Sequence, residues 1–320
     1  MNKTVAIVGG SGFIGRALAS HLAHGAVRVR IITRNREHAR ALWPLPDVEI
    51  VEIANYNRSH LASSLDGVDG VVNLAGILNE RSDNGTGFRS VHVDLVRHLV
   101  EACRSSRIRN LIHLSALNAD SFAESYYLRT KGEAEKLLAD AASRDFGVTI
   151  IRPSVVFGRE DKFTNRFAQI LRLCPHVLPL ACAHAKLQPL HVNDLIAAMS
   201  VLLNERVAWV RRIDLGGPEV LELADCVRLV ANAMGRPTVV APLPAIISAM
   251  QANFLEYVPG KPFSRDNLRA LGIDSVCLQT NGFSNLDIRP KPMSEIVPGY
   301  LAPSDSRHRL YDYRAKLGGS

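Results

Sequence analysis

Three glycines after the first β-branched run constrain this chain most. The run Thr4–Val8 leads directly into Gly9, Gly12 and Gly15, and apolar residues at helical spacing follow. Gly9 permits a tight turn off a strand, Gly12 lets a pyrophosphate approach the backbone, and Gly15 lets a helix pack closely on the strand. The N-terminus of that helix presents free N–H groups to phosphates. The pattern predicts a dinucleotide site, with a chance glycine turn as the alternative. Its predicted lining is Gly9, Ser11, Gly12, Phe13, Ile14 and Gly15.

The residues after the second predicted strand, Arg28–Thr33, indicate which dinucleotide binds. Arg34, Asn35 and Arg36 stand there, and no Asp or Glu occurs in residues 10–36. An NAD site carries an acidic residue in this region for the ribose 2′-hydroxyl, whereas an arginine accommodates the 2′-phosphate of NADP. A guanidinium fork matches phosphate geometry. The sequence therefore predicts NADP(H) as the preferred cofactor and leaves NAD(H) open. The alternative is that these arginines form a solvated face.

The order of elements predicts the fold. Short apolar runs alternate with helical segments through about residue 151. This alternation is typical of a parallel sheet covered by helices on both faces. We therefore predict an α/β fold, a Rossmann-type doubly wound parallel sheet with a smaller C-terminal α/β region. The predicted division is a dinucleotide-binding domain over 1–160, to which segments such as 187–217 return, and a substrate or partner region over 161–320.

Hydrophobic periodicity gives the predicted elements. Strands are expected at 4–8, 28–33, 48–52, 70–74, 110–114, 148–151, 188–190 and 213–215. Helices are expected after Gly15 and at 91–104, 126–142, 165–173, 193–203 and 223–234. Ligands of such sheets bind beyond the carboxyl ends of the strands. The strand-end residues predicted to meet at one crevice are Gly9, Arg34, Ala75, Ser115 and Pro153.

Composition limits the other classes of function. The 320-residue chain is 47% hydrophobic and 22% charged, which predicts a packed core. A net charge of +7 fits a phosphorylated cofactor or an acidic partner, and no lysine-rich or aromatic-interleaved stripe indicates nucleic acid. The five cysteines lack metal-ligand spacing, so no metal is predicted, and they are expected to be reduced intracellular thiols. No transmembrane segment or targeting peptide is expected, and the expected location is cytoplasmic.

Tyr127 and Lys131 form a Y-x-x-x-K pair on the predicted helix after the fifth strand. Residues four apart share one face of a helix, so the ammonium can lie near the phenol. A neighbouring positive charge lowers the pKa of a tyrosine, and such a tyrosine can move a proton. The pair is therefore predicted to be catalytic. The alternative is a solvated helix face.

These motifs together resemble the short-chain dehydrogenase/reductase superfamily, in its extended and atypical branches. The segments that carry the resemblance are the glycine cluster, Asn73–Gly76, the strand ending at Ser115, the Tyr127/Lys131 pair and Arg152–Gly158. Three later segments are similar to the epimerase/dehydratase-like group typified by the NADPH-binding accessory subunit of mitochondrial complex I and its bacterial relatives. They are Gln188–Asp194, Leu215–Val220 and Tyr257–Asp266.

The resemblance implies further site residues, partners and location. The residues that it assigns to the cofactor, beyond the glycine loop, are Arg34, Asn35, Asn55, Ala75, Gly76, Lys131, Pro153 and Val155. It assigns catalysis to Tyr127 and Lys131, with Ser115 as a further candidate. A protein partner in a respiratory complex and peripheral association at the inner face of a membrane are also implied. Catalytic turnover is not a general expectation in this group.

The chain departs from the catalytic pattern of the family. Extended members place Ser or Thr just past the fifth strand, where this chain has Ala116 after Ser115. Tyr127 lies only twelve positions after Ser115, so the substrate-facing loop is short. Asn55 stands where an Asp commonly meets the adenine. Two functions therefore stay open: a cofactor-holding binding or assembly protein, and an oxidoreductase or epimerase that uses Tyr127 and Lys131.

The segment Leu243–Leu255 carries an apolar stripe at helical spacing. Such stripes usually face the protein, so a core-facing helix is the main expectation. A docking or membrane-surface helix is the alternative, although few lysines accompany it. The polar tail from Ala302 to Ser320 is expected to be loosely held.

Overall fold

A computed structural model describes residues 3–25, 27–174, 176–205, 207–258, 261 and 263–302. The predicted tail lies outside this part of the chain except for Ala302. The strands are β1 Thr4–Val8, β2 Arg28–Thr33, β3 Val48–Glu52, β4 Gly70–Asn73, β5 Asn110–Leu114, β6 Gly147–Pro153, β7 Val156–Phe157, β8 Val177–Leu180, β9 Lys186–Leu187, β10 Leu190–His191, β11 Val210–Leu215, β12 Leu221–Glu222 and β13 Val239–Pro242.

Eight of the described helices lie between strands in the chain, and four follow the last described strand. They are α1 Phe13–Ala23, α2 Arg58–Ser64, α3 Thr86–Arg89, α4 Leu95–Ser105, α5 Tyr126–Ala141, α6 Thr164–Leu173, α7 Val192–Asn204, α8 Leu223–Ala233, α9 Ala245–Leu255, α10 Arg265–Ala270, α11 Met293–Ile296 and α12 Pro298–Leu301. Two 3₁₀ turns, Arg36–Leu42 and Gly282–Asn285, and a π-helical segment, Ser90–Asp94, complete the described elements.

Seven strands form one parallel sheet in the order β11-β6-β5-β4-β1-β2-β3. The order reverses between β1 and β4, which is where doubly wound sheets bind ligands. The predicted Rossmann-type α/β class is thus confirmed. β11 follows about 57 residues after β6 in the chain and pairs with it from Val210 opposite Val148 to Leu215 opposite Pro153. A strand from the second half of the chain therefore closes one edge of the sheet.

Helices cover both faces of the sheet. Side chains of α1 and α7 bury one face, with Leu18, Leu195 and Met199 in that core. Side chains of α2, α4 and α5 bury the other, with Leu61, Leu99 and Leu138. A third core lies between α6, α8 and the β8–β13 pair. The smaller region thus has a hydrophobic core of its own.

Some predicted elements differ from the structure. The helix expected at 91–104 begins at Thr86, and the π-helical segment interrupts it. The strand expected at 188–190 is two short strands, β9 and β10, because Gln188 leaves the first and Pro189 has no N–H to donate to a ladder.

The main expectation for Leu243–Leu255 is wrong. The helix forms as α9, but Ile246, Met250 and Phe254 are exposed, and the buried residues are the small Ser248 and Ala252. Periodicity finds a stripe, but it does not reveal which side of the helix the rest of the protein covers.

Candidate functional site

The glycine loop has the backbone geometry that a phosphate site needs. Gly9 turns with a φ of +81°, and the Gly12 N–H donates to the Gly9 carbonyl at 3.1 Å. A Cβ added at Gly12 would meet only the Gly9 carbonyl oxygen, at 3.4 Å, so the space above this residue is open. A Cβ at Gly15 would lie 2.5 Å from the Gly10 Cα, so α1 sits against the loop itself. No described side chain caps α1, which leaves its first N–H groups to a ligand.

Arg16 is a residue of this loop that the sequence analysis missed. Its guanidinium donates to the Ser11 carbonyl at 2.8 Å and pairs with Glu160 at 2.6 Å. A cation in the first turn of a helix opposes the helix dipole, and that is the signal that could have found it. Arg16 therefore holds the loop against the segment after β7.

The other end of the predicted cofactor site lies beyond β2. Arg34 is exposed, and its guanidinium carbon lies 5.3 Å from the centre of the Tyr56 ring. The pKa of Tyr56 is raised by burial, and the charge of Arg34 opposes that rise. The side-chain oxygen of Asn35 accepts from Glu37 N at 2.9 Å, and that of Asn55 accepts from Asn57 N at 3.1 Å. The exposed guanidinium of Arg34 is thus open to a ligand at this end of the site. The side-chain oxygens of Asn35 and Asn55 are instead used in local turns.

The loops after β1 and β4 meet at the reversal point of the sheet. A Cβ on Gly9 would lie 2.7 Å from Ala75 N, which itself donates to Asn73 Oδ1 at 3.1 Å. A Cβ on Gly76 would lie 3.5 Å from Lys131 Nζ, which places that ammonium at the edge of the crevice. The Pro153 carbonyl accepts from Leu117 N, and the Val155 carbonyl accepts from Leu190 N. These bonds position the loops on the β6 side of the crevice.

Tyr127 and Lys131 lie one turn apart on α5, as predicted, but their chemistry differs from the prediction. Lys131 Nζ donates to the Leu114 carbonyl at 2.8 Å, and burial lowers its pKa to about 8. The Tyr127 ring packs between His92 and Phe88, with centroid distances of 5.5 and 6.0 Å. Burial raises the pKa of Tyr127 to about 12. The expected lowering of that pKa by Lys131 is therefore wrong, because desolvation dominates.

Ser115 belongs to a buried ionic group rather than to the tyrosine. Its hydroxyl donates to Glu135 at 2.5 Å, and the same carboxylate accepts from Arg152 Nε at 2.8 Å. Arg212 Nε lies 3.4 Å from Glu135, on the outer side of the group. The Ser115 hydroxyl is thus engaged by Glu135. The neighbouring Ala116 is buried and offers no hydroxyl.

Two buried histidines line the inner wall below Lys131. His92 accepts from Ile77 N through Nε2 at 3.3 Å, so its proton sits on Nδ1, 2.9 Å from the Thr130 hydroxyl. The His113 ring bonds Asn73 Nδ2 at 3.0 Å. Burial, with the charge of Lys131, holds the pKa of both rings well below the usual range, so both are neutral. A histidine inside an apolar strand is the signal that could have found His113.

Asp266 fixes the start of the helix that carries the predicted catalytic pair. It is buried, and it accepts from Tyr126 N at 2.6 Å, Tyr127 N at 3.1 Å and the Ser125 hydroxyl at 2.9 Å. The two N–H groups are unpaired donors of the first turn of α5, and a carboxylate there also suits the helix dipole. The Ser125 hydroxyl belongs to the N-cap residue of the helix. The sequence separation of about 140 residues explains why local patterns do not reveal this contact.

The doubly wound sheet, the open glycine loop and the arginine beyond β2 together define a dinucleotide-binding Rossmann-type protein. The profile of the NAD dependent epimerase/dehydratase family matches residues 5–216. The chain therefore belongs to this family, an atypical branch of the short-chain dehydrogenases/reductases, as the sequence motifs predicted.

Comparison with known proteins supports the family and the fold. The chain is 26% identical to mouse mitochondrial NADH dehydrogenase (ubiquinone) 1 alpha subcomplex subunit 9, over 95% of this chain and 80% of that protein. It is 28% identical to the ceramide reductase of Caulobacter vibrioides, over 77% of this chain and 75% of that enzyme.

Solved structures share the fold at low sequence identity. The dTDP-glucose 4,6-dehydratase DesIV of Streptomyces venezuelae, with NAD bound, superposes with a TM-score of 0.74 at 17% identity, over 98% of both chains. The NADPH-dependent quinone oxidoreductase QOR2 of Escherichia coli, with NADPH bound, gives 0.72 at 17% identity, over 92% of this chain and 99% of that chain.

Proposed function

We propose that this protein holds NADP(H) in the strand-end crevice as a structural or sensing ligand, and that it serves a respiratory or quinone-linked complex. The glycine loop would hold the pyrophosphate, and Arg34 would pair with the 2′-phosphate. Gly76 and Lys131 stand at the nicotinamide end. A ligand that binds only the folded state stabilises it by mass action, which is what a structural cofactor does.

The engagement of Ser115 by Glu135 carries this proposal. A carbonyl that is being reduced needs a donor for its developing negative charge, and loss of such a donor costs ~100-fold or more in rate. Here the hydroxyl nearest the strand end donates to a buried carboxylate, and Ala116 cannot replace it. The crevice therefore favours retention of the cofactor over turnover.

The respiratory assignment rests on relatedness across nearly the whole chain. The mouse relative is, by its name, a subunit of NADH dehydrogenase (ubiquinone), and the alignment covers 95% of this chain. We extend that role to this protein and place it at the inner, cytoplasmic side of a membrane. Loss of the protein in its source organism should then lower the amount of assembled NADH–quinone oxidoreductase on native gels.

A second candidate function is an NAD(P)-dependent oxidoreductase or epimerase. The observation that favours it is the position of Lys131 Nζ at Gly76, one helical turn from Tyr127. In that case Tyr127 would exchange the proton, and the substrate would be a small carbonyl, hydroxy or nucleotide-sugar compound. The relation to a protein named ceramide reductase supports this candidate as well.

One experiment separates the two candidates. Purified protein is loaded with NADPH, and ketones, quinones and nucleotide sugars are added while the NADPH absorbance is followed. A retained cofactor should bind in calorimetry yet stay unconsumed. Turnover that Tyr127→Phe abolishes and Tyr126→Phe preserves would establish the enzyme instead. Tyr126 is a matched control because it stands next in the chain and packs against Arg129 and Arg269.

A further inference from the structure

Helix α9 carries its large apolar side chains on its outer side. Ile246 is 78% exposed, Met250 66% and Phe254 73%. The side that faces the protein instead carries Ser248 and Ala252, which are four residues apart and buried. The two sides of α9 therefore differ in the size of their side chains rather than in their polarity. No residue from 237 to 255 is charged.

The β8–β13 pair extends this surface. Val177 and Val239 are paired in register, and both are exposed. Gln251 Nε2 donates to the Pro179 carbonyl at 3.3 Å, which holds α9 beside β8. We call the combined surface the apolar face and define it by Val177, Val239, Ile246, Met250, Phe254 and Tyr257. Large apolar side chains exposed together on a helix and its neighbouring strand pair are typical of an interaction site.

Helix α9 and the β8–β13 pair contain no acidic residue, and Glu256, which follows α9, is buried and pairs with Arg265. The chain has 31 Asp and Glu, yet none of them falls in residues 162–193 or 226–255. The same two segments carry six cationic side chains: Lys162, Arg166, Arg172, Lys186, Arg228 and Arg236. Arg172 and Arg236 are exposed and lie within five residues of Val177 and Val239 in the chain. An uncharged apolar helix beside these cations complements a surface that is apolar inside and negative at its boundary.

We propose that the apolar face is a docking surface for an anionic phospholipid bilayer. Helix α9 lies in the plane of the interface, with Ile246, Met250 and Phe254 in the boundary between headgroups and acyl chains. Arg172 and Arg236 attract the negative headgroups. Tyr257 suits the headgroup level, where aromatic residues concentrate. None of the helices in the described part of the chain has the length and hydrophobicity of a membrane span.

The test is flotation of the full-length protein with lipid vesicles. Vesicles of phosphatidylcholine alone are compared with vesicles in which phosphatidylglycerol replaces a third of the lipid, at low and at high salt. The protein is expected to float with the anionic vesicles, less so at high salt. Absence of binding, or equal binding to neutral vesicles, would overturn the proposal. So would size-exclusion light scattering showing that Phe254→Glu dissociates a dimer, because the face would then be covered by a second copy.

Two substitutions separate the apolar and the electrostatic contributions. Phe254→Glu should lower affinity for anionic vesicles by about tenfold or more, because it removes a buried aromatic contact and adds a repelled charge. Arg236→Gln should lower it by roughly fivefold and leave affinity for neutral vesicles unchanged. Leu278→Glu is the matched control, since Leu278 is 84% exposed but lies outside the apolar face. An equal loss in the control would contradict the proposed surface.

A gain-of-signal variant covers the case in which Phe254→Glu does not fold. Phe254→Trp should show blue-shifted emission with anionic vesicles and quenching by brominated acyl chains, whereas Leu278→Trp should show neither. Unchanged emission of Phe254→Trp in the presence of bound vesicles would place α9 away from the bilayer and refute the proposal. NADPH titration of the same variants is independent of lipid binding, so failure of this proposal is distinguishable from failure of the proposed function.

Discussion

The hydroxyl of Ser115 donates to the buried carboxylate of Glu135 across 2.5 Å, while Arg152 pairs with the same carboxylate. Ser115 follows the fifth strand directly and is the further catalytic candidate that the family resemblance implies. Here its hydroxyl contacts Glu135 on α5. The bond joins the strand to that helix one turn after Lys131. The inner wall of the crevice is therefore held by an ionic group that includes this hydroxyl.

Substitution of this serine is expected to change stability rather than cofactor binding. Ser115→Ala should lower the free energy of unfolding by about 1.5–3 kcal/mol, because a hydrogen bond to a charged group is lost. Urea unfolding and NADPH calorimetry measure the two effects. Ser154→Ala is the control: its hydroxyl donates to the Ser275 carbonyl, which is uncharged, so a smaller loss is expected. A stable Ser115→Ala protein that has lost a measurable turnover would contradict this assignment.

Arg34 is expected to determine the choice between the two dinucleotides. Arg34→Ala should weaken NADPH by about 10- to 150-fold, the equivalent of roughly 1.5–3 kcal/mol for a hydrogen bond to a charged group, and leave NADH unchanged. Calorimetric titration of both nucleotides measures the preference. Arg36→Ala serves as the control, because that guanidinium packs over Trp43. Equal affinity of the wild type for both nucleotides would refute the prediction.

Two glycines of the phosphate loop should respond differently to the same change. Gly12→Val should abolish NADPH binding and keep a cooperative thermal transition, because its Cβ meets only the Gly9 carbonyl at 3.4 Å. Gly15→Val should destabilise the fold itself by about 1–3 kcal/mol or more, because its Cβ would lie 2.5 Å from the Gly10 backbone. Melting curves with and without NADPH give both results. Normal binding by Gly12→Val would mean that the loop holds another ligand.

Lys131 should make stability rise with pH above neutrality. Its pKa is about 8 in the folded protein and 10.5 without burial, so between these values the unfolded chain holds a proton that the folded protein lacks. Stability therefore increases with pH across this window, by on the order of 2 kcal/mol from pH 8 to 10.

Comparing the pH dependence of unfolding between two lysine variants separates the contribution of Lys131 from that of the other buried titratable groups. Lys131→Met should remove the rise, whereas Lys136→Met, on an exposed position of the same helix, should keep it. Urea unfolding at several pH values gives the difference. A wild-type curve parallel to that of Lys131→Met would show that the lysine keeps its ordinary pKa when folded.

The sequence predicts what local patterns encode. The bounds of β1, β2, β3 and β5 match the predicted strands, because β-branched runs bounded by turn residues leave little freedom. The spacing of Tyr127 and Lys131 places both on one helix, as predicted. Their pKa values could not be predicted, because these depend on burial beneath α3 and β5, which the spacing does not report.

Contacts between distant parts of the chain explain what the sequence analysis missed. Glu80 accepts four backbone N–H groups, two just before α3 and two within its first turn, and thereby starts that helix earlier than periodicity indicates. Lys261 then donates to the carbonyls of Glu80 and Arg81, about 180 residues away. The outward orientation of α9 likewise depends on β8, which Gln251 contacts. No local pattern in the sequence specifies any of these pairings.

The cap that Asp266 places on α5 makes the two halves of the chain inseparable. A fragment ending near residue 160 would keep the glycine loop, yet the first turn of α5 would lose the carboxylate that satisfies its N–H groups. Its sheet would also end at β6 with an open edge, where β11 now pairs. We therefore expect nucleotide binding to require the whole chain and to be lost in its first half alone.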